Sequence, residues 1–105
     1  MKKWNNRKTA ELIKAILVLT KEQEAKNFLR DLMTERELIE FGNRWKTAQM
    51  LNENISYPEI QKETGLSTRT IARISNWFQN GKGGYKSMLK KLNHHQNSSH
   101  LKKKF

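Results

Sequence analysis

Residues 55–78, ISYPEIQKETGLSTRTIARISNWF, leave the backbone few paths, and the tightest restriction falls at Gly65. Ser56 can cap a helix, Pro58 suits its first turn, and Glu59 lies three residues after the cap. Glycine at 65 ends that helix, because a left-handed residue there meets no Cβ penalty. Ser67 offers a second N-cap, and Ile71, Ile74 and Phe78 recur at helical spacing to hold the second helix down. The spacing predicts helices over about Tyr57–Thr64 and Thr68–Phe78. Two short helices joined by such a turn form a helix-turn-helix, whose second helix can enter a DNA major groove. Its outward positions would be Thr68, Arg69, Ala72 and Arg73, none of them acidic. Helix–glycine–helix corners also occur in proteins that never meet nucleic acid, so charge has to weigh in.

No carboxylate lies beyond Glu63, yet nine Lys or Arg do: Arg69, Arg73, Lys82, Lys86, Lys90, Lys91 and Lys102–Lys104. Lys2, Lys3, Arg7 and Lys8 make the other end cationic, and the two ends carry nine of the eleven net positive charges. Residues 9–89 hold 12 basic and 10 acidic groups, a nearly balanced body. Cationic arms suit phosphate contact, although they also suit a merely solvated tail.

The 105 residues fit one domain over 1–92, with the helix-turn-helix at about 56–78 and a basic, disordered tail over 93–105. Without cysteine there is neither a disulfide framework nor a thiolate metal site. No apolar run approaches the ~20 residues needed to cross a bilayer, and Leu12–Leu19 lacks the cleavage site of a signal peptide, so a cytoplasmic protein is expected. One proline, five glycines and no alternating strand pattern point to an all-α fold of about six helices. The first should span about Asn5–Leu19. A box of Thr20 with Gln23 should start a second, to about Met33, and one of Thr34 with Glu37 a third, to about Asn52. Leu38, Phe41, Trp45 and Ala48 are expected to face inward. Asn80–Gly84 breaks the chain before a last helix over about Tyr85–Leu92. The apolar residues of the first helix, Leu12, Ile13, Ile16, Leu17 and Val18, surround too much of its circumference for one neighbour to cover, so a second copy is expected.

Arg69 is the first choice for reading a base, by bidentate pairing with guanine; contact with phosphate is the alternative. Ser67, Thr68 and Thr70 at the helix start suit phosphate or base edges, with capping the main role of Ser67. Ala72 suits a thymine methyl, Gln61 and Lys62 the sugar-phosphate backbone, and Arg73 either DNA or the interior. Trp45 and Trp77 are expected in the core. His94, His95 and His100 are loosely spaced, and no metal site is expected from them. No nucleophile–base set, phosphate loop or zinc motif is present, which excludes the common enzyme classes.

From about Phe28 to Leu92 the chain resembles the Trp repressor superfamily, above all the small TrpR-related bacterial proteins of the YerC/YecD type. The likeness rests on MTERELIEFGNRW (Met33–Trp45), ISYPEIQKETGLSTRTIARISN (Ile55–Asn76) and GKGGYKSML (Gly81–Leu89). It implies an intertwined all-helical homodimer that represses transcription from double-stranded DNA at a palindromic operator. In the best-known member two arginines, matching Arg44 and Arg73, sandwich the ring of L-tryptophan, and backbone matching Asp31–Thr34 receives its amino group. Ile74 and Trp77 replace small residues beside the second arginine, in volume the ligand needs, and an indole of the protein itself could fill it. The expectation is therefore no cofactor, with L-tryptophan or another small effector as the alternative. An accessory or protein-interaction helix-turn-helix module, without operator specificity of its own, is the rival reading.

Overall fold

The computed structural model describes residues 3–93, which contain six helices and no strand. In chain order these are α1 (Arg7–Leu17), α2 (Glu22–Leu32), α3 (Glu35–Asn52), α4 (Tyr57–Thr64), α5 (Thr68–Asn80) and α6 (84–93). Lys2 and the tail, with His94, His95, His100 and Lys102–Lys104, lie outside the described residues. Residues up to Ile39 and residues from Glu40 onward form two packing units, the boundary falling within α3.

In the first unit, α1 starts two residues later than its apolar pattern suggests, because Asn6 is the cap. The Asn6 side chain accepts the Thr9 N–H at 3.0 Å, and the Asn6 N–H donates to Thr9 Oγ1 at 3.0 Å. At the start of α2 the expected box of Thr20 with Gln23 does not form. Lys21 occupies the N-cap without a side-chain bond, and the Thr20 N–H instead donates to Glu24 Oε1 at 3.3 Å. With Lys21 as the cap, Glu24 rather than Gln23 stands at the third helical position, from which a side chain folds back over the first turn. The box at α3 forms as expected: the Thr34 N–H donates to Glu37 Oε1 at 2.9 Å and the Glu37 N–H to Thr34 Oγ1 at 3.1 Å. Those bonds from Thr34, backbone first, hold the Glu37 carboxyl below the usual glutamate range.

Neither α1 nor α2 buries a single residue, although each concentrates its apolar side chains on one side. Leu17 is 75 % exposed and Val18 74 %. Ile13, Ile16 and Leu32 are exposed as well.

The second unit has a true interior, built from one face of each helix. Met50, Ile60 and Ile71 are buried together, with Leu51, Ile55 and Leu66 packed around them. Ala48, Phe78 and Leu89 form a second cluster, flanked by Trp45 and Tyr85, whose rings stack with centroids 6.3 Å apart. The buried hydroxyls of Thr47 and Thr64 are satisfied by donating to the carbonyls one turn back, Asn43 and Ile60, each at 2.8 Å. Phe41 departs from expectation: it stays 41 % exposed, outside the interior that Trp45 and Ala48 join. Asn93 also departs, since it belongs to α6 rather than to the tail.

Candidate nucleic-acid interface

The α4–α5 corner is assembled by local rules, one residue at a time. Ser56 adopts extended backbone, and its hydroxyl accepts the Glu59 N–H at 3.4 Å, with Pro58 in the first turn. Gly65 closes α4 at φ 74°, the left-handed region that only glycine enters without strain, and its N–H donates to the Gln61 carbonyl at 2.8 Å. Two residues later Ser67 is again extended and caps α5, its hydroxyl accepting the Thr70 N–H at 3.1 Å and donating to Thr70 Oγ1 at 3.1 Å. Both hydroxyls at this helix start are thus engaged with each other, which makes capping the principal task of Ser67.

Core contacts fix which side of α5 looks outward. Ile71, Ile74 and Phe78 are buried, and the opposite face leaves Thr68, Arg69, Ala72 and Arg73 exposed, with Thr70 half-buried between. Gln61 and Lys62 are exposed on α4. Among the described residues the ion pairs are Arg7–Glu11, Glu22–Lys26, Arg30–Glu35 and Glu40–Arg44, so no carboxylate there neutralises Lys62, Arg69 or Arg73. The first turn of α5 carries no acid either. Unpaired cations beside a helix N-terminus favour an anionic polymer, and the exposed arginines can reach base edges where the helix enters a groove.

Asn76 extends the same outward strip by one turn beyond Ala72 and Arg73. It is exposed, and Asn80 Nδ2 donates to its Oδ1 at 3.1 Å. Its spacing of four from Ala72 is the signal that points to it, one turn past the end of the expected site. An asparagine so placed suits adenine.

The residues matched to an effector pocket do not share one environment. Ile74 is fully buried in the interior, and Arg73 lies on the exposed outer face. Trp77, expected in the core, is 43 % exposed. Arg44 is half-buried on α3, where its guanidinium carbon lies 5.5 Å from the Phe41 ring centroid and 5.9 Å from that of Trp77. Glu40 pairs with it at 3.3 Å. No group of three His, Cys, Asp or Glu among the described residues is placed to hold a metal, and no helix among them is long and apolar enough to cross a membrane.

Comparison with known proteins agrees with this architecture. The sequence model of the family described as Trp repressor protein matches residues 7–93. An uncharacterized protein of Bacillus subtilis, YerC, is 33 % identical over 92 residues, covering 88 % of each chain. Two crystal structures share the fold. A TrpR-like protein from Eubacterium eligens superposes with a TM-score of 0.83 at 33 % identity, over 87 % of this chain and 94 % of that one. A protein from Staphylococcus aureus, described as a candidate Trp repressor, superposes with a TM-score of 0.81 at 33 % identity, over 87 % and 91 % of the two chains. A family match across both packing units, together with relatives that align along nearly their full length, places this chain in the Trp repressor family.

Proposed function

We propose that the chain is a sequence-specific DNA-binding regulator of transcription, a repressor that occupies a palindromic operator as a homodimer in the cytoplasm. The observation that carries this reading is the two-sidedness of α5. Its apolar side is anchored in the interior, and its opposite side presents Thr68, Arg69, Ala72 and Arg73 to solvent without a neutralising acid among the described residues. Membership of the Trp repressor family points the same way. Phosphate contacts from Gln61, Lys62 and the start of α5 would set register, and base contacts from Arg69 and its neighbours would select sequence.

The dimer is argued from α1 and α2. Two amphipathic helices without one buried residue leave apolar surface that a lone small chain cannot hide. A second copy related by a two-fold axis would cover it and would pair the reading helices for a symmetric site.

Selection of bound fragments from random duplex DNA tests specificity and symmetry together. The expected product is an inverted repeat whose half-sites lie about 10 base pairs, one helical turn, apart, from a protein with twice the chain mass by light scattering. Recovery of unselected sequence, with a stable protein partner co-purifying, would favour an interaction module instead.

A further inference from the structure

Arg44 has an unusual setting for a cation on a helix surface. Its Nε is buried, and no acceptor among the described residues lies within hydrogen-bond reach. Its guanidinium instead lies against two aromatic rings, Phe41 from its own helix and Trp77 from α5, while Glu40 holds its outer end at 3.3 Å. Ring faces are partners a guanidinium can use where no oxygen is offered. The Trp77 contact joins α3 to α5 beside the buried clusters of Ala48 with Phe78 and Met50 with Ile71. Trp77 lies four residues after Arg73 and eight after Arg69 on the same helix, so whatever fixes its ring also fixes how far α5 is rotated about its axis. The apolar anchors Ile71, Ile74 and Phe78 decide which face of α5 turns inward. A cation above a ring face adds a directional contact to that packing.

We propose that Trp77 acts as a resident ligand of Arg44: its indole latches α5 to α3 and sets the orientation of the reading face from within the chain, with no dissociable small molecule required. Arg44 and Trp77 are positioning residues here, acting on DNA through Arg69 and Arg73. The inference rests on the DNA-binding reading above for its consequence, but the contact itself can be tested without DNA. Removing the ring exposes one face of the guanidinium and leaves space for a planar aromatic heterocycle, so the latch should become dependent on an added ligand.

The test compares the full chain with Trp77→Ala, Trp77→Phe and the double variant Trp77→Ala/Arg44→Met. Calorimetric titration with indole should detect binding to Trp77→Ala, none to the parent protein, and none to the double variant. On the selected duplex, Trp77→Ala should bind about tenfold more weakly, a typical coupling between two sites. Trp77→Phe, which keeps a ring, should stay near the parent affinity, and millimolar indole should restore Trp77→Ala and leave the parent unchanged. Three results would overturn the proposal. They are tightening of the parent protein by indole or L-tryptophan, Trp77→Ala binding DNA as well as the parent, and a loss in Trp77→Ala that indole does not repair. Should no duplex be selected at all, the DNA-binding reading fails alone, and indole binding that depends on Trp77 being absent and Arg44 present still decides the latch.

Discussion

Replacing Arg69 by alanine should cost about 1–3 kcal/mol of operator affinity, concentrated at one base-pair position of each half-site. Arg69 sits in the first turn of α5, exposed and without a carboxylate partner among the described residues. Its planar fork can meet the O6 and N7 acceptors of guanine with two parallel hydrogen bonds, a geometry no other base pair presents in the major groove. Once that fork is gone, the guanine should no longer be preferred. Competition titrations with duplexes substituted at each position should show discrimination collapsing at one position and surviving elsewhere. A loss of equal size on every sequence, with a reduced salt dependence, would mean that Arg69 holds phosphate.

Ile71→Ala should lower folding stability by about 2–5 kcal/mol, a large part of what a small domain possesses. Ile71 is fully buried between Met50 of α3 and Ile60 of α4, with Leu51, Ile55 and Leu66 packed around the cluster. Removing three carbons there leaves a cavity that three helices would have to collapse into together, and the glycine corner restrains two of them. Urea unfolding monitored by circular dichroism at fixed protein concentration measures the loss, since the stability of the proposed dimer would vary with concentration. Parent-like stability would show that the cluster does not anchor α5. The same variant should also weaken DNA binding, because the outward face of α5 is defined by the inward one.

The parts of the fold legible in the sequence are those decided over three or four residues. Ser56, Pro58, Gly65 and Ser67 place the corner because each acts on its own backbone and its nearest turn, and the Thr34–Glu37 box marks the start of α3 for the same reason. The box at α2 is harder to place because Thr20 can engage either Gln23 or Glu24, and a difference of one residue in capping register changes little in the pattern. Phe41 misleads for another reason. Helical periodicity groups it with Leu38, Trp45 and Ala48, but a stripe on one helix does not say what lies opposite, and Phe41 meets Arg44 and solvent rather than the interior. The exposure of Ile13, Ile16, Leu17 and Val18 is legible because so many large apolar residues on one short helix exceed what a small chain can cover. Least legible is the setting of Arg44 against Trp77, which depends on how α3 packs against α5 and is encoded in no local spacing. Asn76 escapes a strip ended at Arg73, although the helical repeat carries that strip one turn further.

Amide chemical-shift mapping on adding the selected duplex puts the role of α5 to the most direct test. The largest changes should fall on residues 67–70, Ala72, Arg73 and Asn76, with smaller ones at Gln61 and Lys62, while the amides of the buried Ile71 and Phe78 keep their protection from exchange. Changes confined to α1 and α2, with the signals of Thr68 and Arg69 unmoved, would contradict base reading by this helix.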